Sequence, residues 1–163
     1  MPDQNFLSPT NFAFTVDRLP QASYFVQDVN IPGVSMGDVE QPSPFKTIYR
    51  PGDKLMYNEL TMTVRADENM VSFIETYNWI VGLSFPDNFD QYANLLDSSN
   101  NNNIYSDATL IIKTNAKNPN ITMVFKDLYP NNITDIQLSS QQMDIDYATF
   151  DITFRYNGYD IKV

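Results

Sequence analysis

Two stretches of the chain alternate between apolar and polar residues with a period of two, which is the pattern of a β-strand that is buried on one face only. The residues that would be buried are Leu60, Met62 and Val64 in the first stretch, and Ala148, Phe150, Ile152, Phe154 and Tyr156 in the second. Alternation or enrichment in aromatic and β-branched residues predicts further strands at 11–17, 23–31, 106–115, 120–128 and 133–139, with turns at 117–120 and 129–132.

The pattern changes to a helical period between residues 69 and 82. Apolar residues recur there every three to four positions, at Met70, Phe73 or Ile74, Tyr77, Ile80 and Val81. Asp67 or Asn69 can cap the start of this helix, and Gly82 is a suitable end. A short second helix is predicted near residues 89–96.

Residues 34–58 contain Pro42, Pro44 and Pro51, which exclude a continuous helix or a central strand. We therefore expect a long irregular loop, although it is too apolar for a disordered one. The loop either folds back over its own core or docks as an arm into a neighbouring subunit. In the second reading its contact residues are Phe45, Ile48, Tyr49, Arg50, Asp53, Lys54 and Tyr57, with the aromatic side chains as anchors.

These elements predict a mainly β (α+β) protein: an antiparallel sandwich or barrel with one inserted helix. The length of 163 residues fits a single domain over residues 1–163, in which residues 97–104 form a flexible asparagine-rich loop.

The composition removes most catalytic chemistry. The chain has no cysteine and no histidine, so it has neither thiol nucleophiles nor the usual zinc ligands and catalytic triads. Carboxylate pairs such as Asp87 and Asp90 are expected in any chain with 20 acidic residues, and no glycine-rich phosphate loop is present. We expect no enzyme activity, no cofactor and no metal site.

The formal net charge of −10 predicts that the protein repels nucleic acid rather than binding it. The first residues lack the basic and apolar regions of a signal peptide, and no apolar run is long enough to span a membrane. We expect no classical export signal and no membrane anchor.

Several segments of the chain resemble one family of viral proteins. They are RPGDKLMYNELTMTV, the helix ending in NWIVGL with Phe73 and Trp79, and the C-terminal pair KDLYPNNITDIQLS and YATFDITFRYNGY. In this order, over roughly residues 10–160, the chain resembles the tail tube proteins of contractile-tailed, T4-like bacteriophages.

The resemblance implies a structural virion protein whose hexameric rings stack into a hollow tube, with strands of six subunits closing one inner β-barrel. It implies assembly in the bacterial host cytoplasm. The partners it implies are copies of the chain itself, a tail sheath protein, baseplate proteins and tail-terminator proteins, while tape-measure protein and genomic DNA pass through the lumen without specific binding. Residues 34–58 would contact the next ring, and the lumen would be lined by the polar face of the last strand: Thr149, Asp151, Thr153 and Arg155.

Three alternatives stay open at this stage. A baseplate or tail-end ring protein that starts or ends the tube would share the fold, and so would the tube protein of a type VI secretion system. A jelly-roll binding module or glycan-active enzyme would instead be a monomer with a concave aromatic cleft.

Overall fold

The structure is a computed structural model that describes residues 6–97, 104–140 and 146–163. Its helices are α1 (Pro20–Tyr24), α2 (Val71–Ser84) and α3 (Asp90–Asp97). Its strands are β1 (Phe12–Val16), β2 (Val26–Val29), β3 (Val34–Pro42), β4 (Thr47–Tyr57), β5 (Leu60–Arg65), β6 (Ser106–Lys113), β7 (Pro119–Ile133), β8 (Thr149–Arg155) and β9 (Gly158–Lys162).

Seven strands form one antiparallel sheet in the order β1-β6-β7-β8-β5-β2, and β9 also pairs with β7. The long strand β7 joins the two halves of this sheet. Its first part pairs with β6 and β9, and its last part, from Tyr129, pairs with β8. Asp127 has a φ of 53° at the changeover, which bends the strand and lets the two halves enclose a core.

The core lies on one face of the central strands, as the alternation predicts. Leu60, Met62 and Val64 of β5 and Ile152 and Phe154 of β8 are completely buried, and the residues between them lie outside the core. Because β5 and β8 pair directly, with Leu60 opposite Phe154 and Met62 opposite Ile152, the two apolar faces form one continuous surface. The mainly antiparallel β fold is therefore confirmed.

Helix α2 covers this core, but of the predicted stripe only Phe73 packs against it, edge-on to the Phe150 ring. Its buried residues are Ser72, Thr76, Trp79 and Gly82, whereas Met70, Ile74 and Tyr77 of the predicted stripe are exposed. Small side chains on the buried face let α2 lie close to α1 and α3. A Cβ added at Gly82 would come within 2.9 Å of the Leu95 side chain, so Gly82 is a packing residue and not the helix end.

The ends of α2 have different chemistry. The Asp67 carboxylate accepts hydrogen bonds from the backbone N–H of Val71 (3.2 Å) and Ser72 (3.4 Å), which confirms it as a cap. The C-cap of the helix is Phe85, whose φ is 33°. Its N–H donates a hydrogen bond to the Val81 carbonyl at 2.7 Å.

Other predicted boundaries were wrong. Residues 20–24, which overlap the predicted strand 23–31, form α1, and only Val26–Val29 are extended. The predicted turn at 129–132 is part of β7, and residues 134–139 are not a strand. Pro130 is tolerated because β6 pairs with β7 only as far as Leu128, so the following residues form a sheet edge on that side. Most of the asparagine-rich segment 97–104 lies outside the described residues.

Candidate assembly surfaces

Residues 34–57, predicted as an irregular loop, form a two-stranded antiparallel ribbon in which β3 and β4 pair only with each other. The prolines permit this because both strands are edges. The turn at its tip is closed by a hydrogen bond from the Ser43 N–H to the Lys46 carbonyl, at 3.1 Å. We call residues 34–57 the ribbon and residues 43–46 its tip.

Both faces of the ribbon expose large apolar side chains, which single soluble subunits rarely display in one patch. The predicted contact residues Phe45, Ile48, Tyr49, Arg50, Asp53 and Lys54 are all exposed, with Phe45 at 97%. Tyr57, the seventh, is half-buried at the base and packs on the core. The prediction missed Val34, Met36 and Val39 of β3, which are also exposed, although their spacing of two to three residues is a strand signal.

A bulge between Met36 and Asp38 bends the ribbon near its middle. At this bulge the backbones of Gly37 and Gly52 approach closely, and a Cβ added at Gly52 would lie 2.3 Å from the Gly37 carbonyl oxygen. A Cβ added at Gly37 would meet nothing within 4 Å. Only glycine therefore fits at position 52 without a backbone shift.

We expect Gly52→Ala to distort the ribbon and Gly37→Ala to leave it intact. The clash is with backbone atoms, so its relief requires separation of β3 from β4, at a cost of about 1–3 kcal/mol. Hydrogen exchange of the β3 and β4 amides measures this opening directly. Equal protection in the two variants would contradict the role assigned to Gly52.

The base of the ribbon is held by the C-terminal strands. The Tyr156 hydroxyl donates to the Asn58 carbonyl at 2.8 Å, and the Tyr159 hydroxyl donates to the Pro32 carbonyl at 3.3 Å. These two carbonyls flank the ribbon, one on each side. The Tyr57 ring also contacts the rings of Tyr156 and Tyr159, with centroids 5.7 and 5.6 Å apart. The ribbon is thus a projecting arm with an anchored base.

Burial raises the pKa of the Tyr156 phenol to about 12, with smaller contributions from Tyr159 and Tyr57. The fold therefore favours the neutral phenol. Since the folded pKa lies above the ordinary value of 10, the contribution of Tyr156 to stability is complete below pH 10 and is lost as the pH rises toward 12.

We expect the free energy of unfolding to fall more steeply between pH 10 and pH 12 in the unmodified protein than in Tyr156→Phe. At pH 7 the variant should be less stable by about 1 kcal/mol, because it lacks the hydrogen bond to Asn58. Denaturant titrations at a series of pH values test this. Parallel pH profiles would show that Tyr156 does not titrate differently in the folded and unfolded states.

The second surface is the polar face of β5 and β8, opposite the core. Thr61 lies opposite Thr153, and Thr63 lies opposite Asp151. The Thr63 hydroxyl donates to the Asp151 carboxylate at 2.6 Å, and the Asp151 N–H donates to the Thr134 hydroxyl at 2.8 Å. Thr149, Asp151, Thr153 and Arg155, predicted to share a face, do so.

The charges of this face are of both signs. Arg155 forms an ion pair with Glu59, and the Arg65 guanidinium lies over the Tyr147 ring at 4.4 Å from its centroid. The face is rich in threonine, as expected, but it is not strongly acidic, because its carboxylates at Glu59, Asp151 and Asp28 stand against two arginines. Such a surface offers no concentrated positive charge to a phosphate backbone.

Within the described residues, no three acidic side chains are grouped so that they could hold a metal ion. In the same residues, no helix is both long enough and apolar enough to cross a membrane. What distinguishes the subunit is an exposed apolar arm and a polar sheet face with open edges.

Residues 6–162 match the model of the family described as phage tail tube protein. The chain belongs to this family. This match confirms the resemblance to tail tube proteins. Because the family is structural, the match also supports a structural role as a tail tube component. A comparison with curated proteins finds no match.

Solved structures share the fold of this tail tube family member at low sequence identity. The tube-terminating cap of the anti-feeding prophage matches with a TM-score of 0.67 at 12% identity, covering 99% of this chain and 94% of that one. A chain of the sheath–tube complex of PVC, an extracellular contractile injection system in the extended state, matches with a TM-score of 0.65 at 15% identity, covering 98% and 93%. A type six secretion system protein matches with a TM-score of 0.51 at 13% identity, covering 92% and 81%.

Proposed function

We propose that this protein is the repeating subunit of an inner tail tube, in which hexameric rings stack into a hollow conduit for the phage genome. The observation that carries this proposal is the ribbon. An arm about nine residues long, apolar on both faces and anchored at its base, has no function in a solitary subunit but is suited to contact between copies.

The sheet supplies a second argument, for closure of a ring. The four-stranded half that carries the polar face ends at β2 on one side and at residues 129–133 of β7 on the other. Pairing of these two edges between neighbouring subunits would remove both and produce one barrel. The threonine-rich face, including Thr149, Asp151, Thr153 and Arg155, would then line the lumen.

Stacking of identical rings is a head-to-tail contact that does not close on itself, so it generates a filament. In this arrangement α2, which lies on the core side of the polar sheet, faces away from the lumen. A tail sheath protein would surround that side. Baseplate and terminator proteins would meet the two ends, and tape-measure protein and DNA would occupy the lumen. Assembly would take place in the host cytoplasm, and the role would be non-catalytic.

Negative-stain electron microscopy of the purified protein tests the proposal. Tubes with a stain-filled central channel would support the repeating subunit. Single rings that do not stack would support the alternative of a baseplate or terminator protein, to which the similarity of the anti-feeding prophage cap also points. If the purified protein stays monomeric, baseplate particles should be added as an initiator. A monomer that persists with an initiator would overturn the proposal.

A further inference from the structure

Helices α2 and α3 and the residues just before α1 line a cavity of about 560 Å³ that neither assembly surface uses. Trp79, Leu19 and Leu95 form an apolar floor, and each is almost completely buried. The amide side chains of Asn78, Gln91 and Asn94 line it as well. We call this space the helix cavity.

Glu75 lines the helix cavity, and one oxygen of its carboxyl group lacks a hydrogen-bond donor. Its Oε2 atom is buried and has no hydrogen-bond partner among the described residues. Burial is the largest influence on its pKa, which is raised even though the N–H groups of Gln21 and Ala22 oppose the rise. A buried acceptor without a donor is unfavourable, so a donor that reaches this carboxylate from the cavity would be stabilised there.

The other charged residue of the helix cavity does not fill this role. Arg18 donates from Nη2 to the Leu95 carbonyl at 2.7 Å, and its guanidinium lies 5.2 Å from the centre of the Trp79 ring. The guanidinium is therefore directed to other groups in this region.

The tip of the ribbon carries the complementary chemistry. Phe45 is almost fully exposed, and Lys46 follows it directly. Lys46 forms no ion pair with any of the described residues. An exposed aromatic ring beside a cation matches an apolar floor beside a carboxylate oxygen.

We propose that the tip of one copy inserts into the helix cavity of another copy, with the Phe45 ring against the apolar lining of the cavity and the Lys46 ammonium at the Glu75 carboxylate. This inference rests on the proposed stacking and names the receptor for the arm. The ribbon has the necessary reach, since nine residues of β3 at about 3.3 Å each span roughly 30 Å, the diameter of a small domain.

Two other cavities are poorer receptors. One, of about 730 Å³, lies between β1, α1 and β2, and its acidic residue Asp17 is exposed to water. The other, of about 850 Å³, lies beside α2, where Asp67 already caps the helix and Glu68 and Asp135 are exposed. A carboxylate that is hydrated or already hydrogen-bonded gains less free energy from an added lysine than the Glu75 carboxylate, which has a buried oxygen without a donor.

Engineered cysteine pairs locate the receptor directly, because the chain contains no cysteine of its own. Thr47→Cys beside the tip is combined with Asn78→Cys at the helix cavity, or, as matched controls, with Thr15→Cys or Glu68→Cys at the other two cavities. The assembled protein is oxidised and analysed without reductant. A ladder of covalent oligomers is expected for the Asn78 pair alone. A ladder from either control pair, with none from the Asn78 pair, would overturn the inference.

A double-mutant cycle tests the ion pair. Lys46→Met and Glu75→Gln are each expected to lower the equilibrium constant for stacking by about tenfold or more, and the double variant by no more than one of them, because each single change already breaks the pair. Lys117→Met, at an exposed lysine outside the ribbon, is the control. Thermal melting of each variant monitors the fold. Fully additive losses would overturn the inference.

The tests separate the two proposals. If the unmodified protein forms tubes but the cross-links or the cycle fail, only the docking site is wrong. If the unmodified protein forms no tubes even with an initiator, both the proposed function and the docking inference are overturned.

Discussion

Replacing Phe45 and Tyr49 together with aspartate is expected to abolish ring stacking while the subunit stays folded. Both side chains are exposed in the single subunit, Phe45 at 97% and Tyr49 at 62%, so the change should alter its stability by no more than about 0.5 kcal/mol. At a packed contact the same change removes two aromatic anchors and buries two charges. Each anchor contributes about 2 kcal/mol or more, so stacking should weaken by roughly a thousandfold.

Electron microscopy measures tube length, and circular dichroism with thermal melting monitors whether the subunit is folded. Tyr24→Asp combined with Leu138→Asp is a matched control, since these side chains are 82% and 85% exposed but lie outside the ribbon. Long tubes from the Phe45 and Tyr49 variant would refute the assignment of the ribbon as the stacking arm. A control that loses stacking to the same extent would show that the effect is not specific to the ribbon.

Shortening Ile152 to alanine is expected to cost about 2–5 kcal/mol of unfolding free energy, because its side chain is completely buried opposite Met62. The neighbouring change Thr153→Ala should cost less than about 1 kcal/mol, since Thr153 lies on the polar face. Denaturant titration of the soluble subunit measures both values.

For a domain of this size, the loss at Ile152 corresponds to a fall in melting temperature of roughly 4–20 °C. Equal losses at Ile152 and Thr153 would mean that both faces of β8 are buried in the subunit, and that the polar face is not available to line a lumen. Thr153→Ala should also assemble like the unmodified protein, because it leaves the edges β2 and β7 unchanged.

The strands β5 and β8 were predictable because the pattern that indicates them lies within each strand's own sequence. A period of two assigns Leu60, Met62, Val64 and their counterparts in β8 to one face without knowledge of any partner strand. The cap at Asp67 was predictable for the same reason, since an N-cap depends on residues within one turn.

The ribbon could not be recognised as two strands from the sequence, because it is defined by the pairing of β3 with β4, which only the structure shows. Pro42 and Pro51 argue against strands in a central position, and only the absence of outer neighbours makes them acceptable. The exposed residues of β4 were still singled out as candidates, since aromatic residues between prolines are a compositional signal. Their counterparts Val34, Met36 and Val39 were missed because they precede the segment that this signal marks.

Helix α2 shows how packing can override an apolar period. The sequence favours a stripe through Met70, Phe73 or Ile74, and Tyr77, but of these only Phe73 packs against the core. The fully buried positions of the helix include Ser72, Thr76 and Gly82 instead. Close approach to α1 and α3 selects small side chains, and this selection depends on neighbours far away in the chain.

The sequence by itself determined the fold class, the core face of the central strands, the capped helix, the family and the absence of cysteine and histidine chemistry. Each follows from residue types and short spacings. The tertiary structure decided that residues 34–57 form a projecting ribbon and that Tyr156 and Tyr159 hold its base. It also decided that Glu75, beside a cavity between α2, α3 and the segment before α1, has an unsatisfied oxygen. These features join residues up to 127 positions apart, and such contacts are specified by the packing of the whole chain rather than by any local pattern.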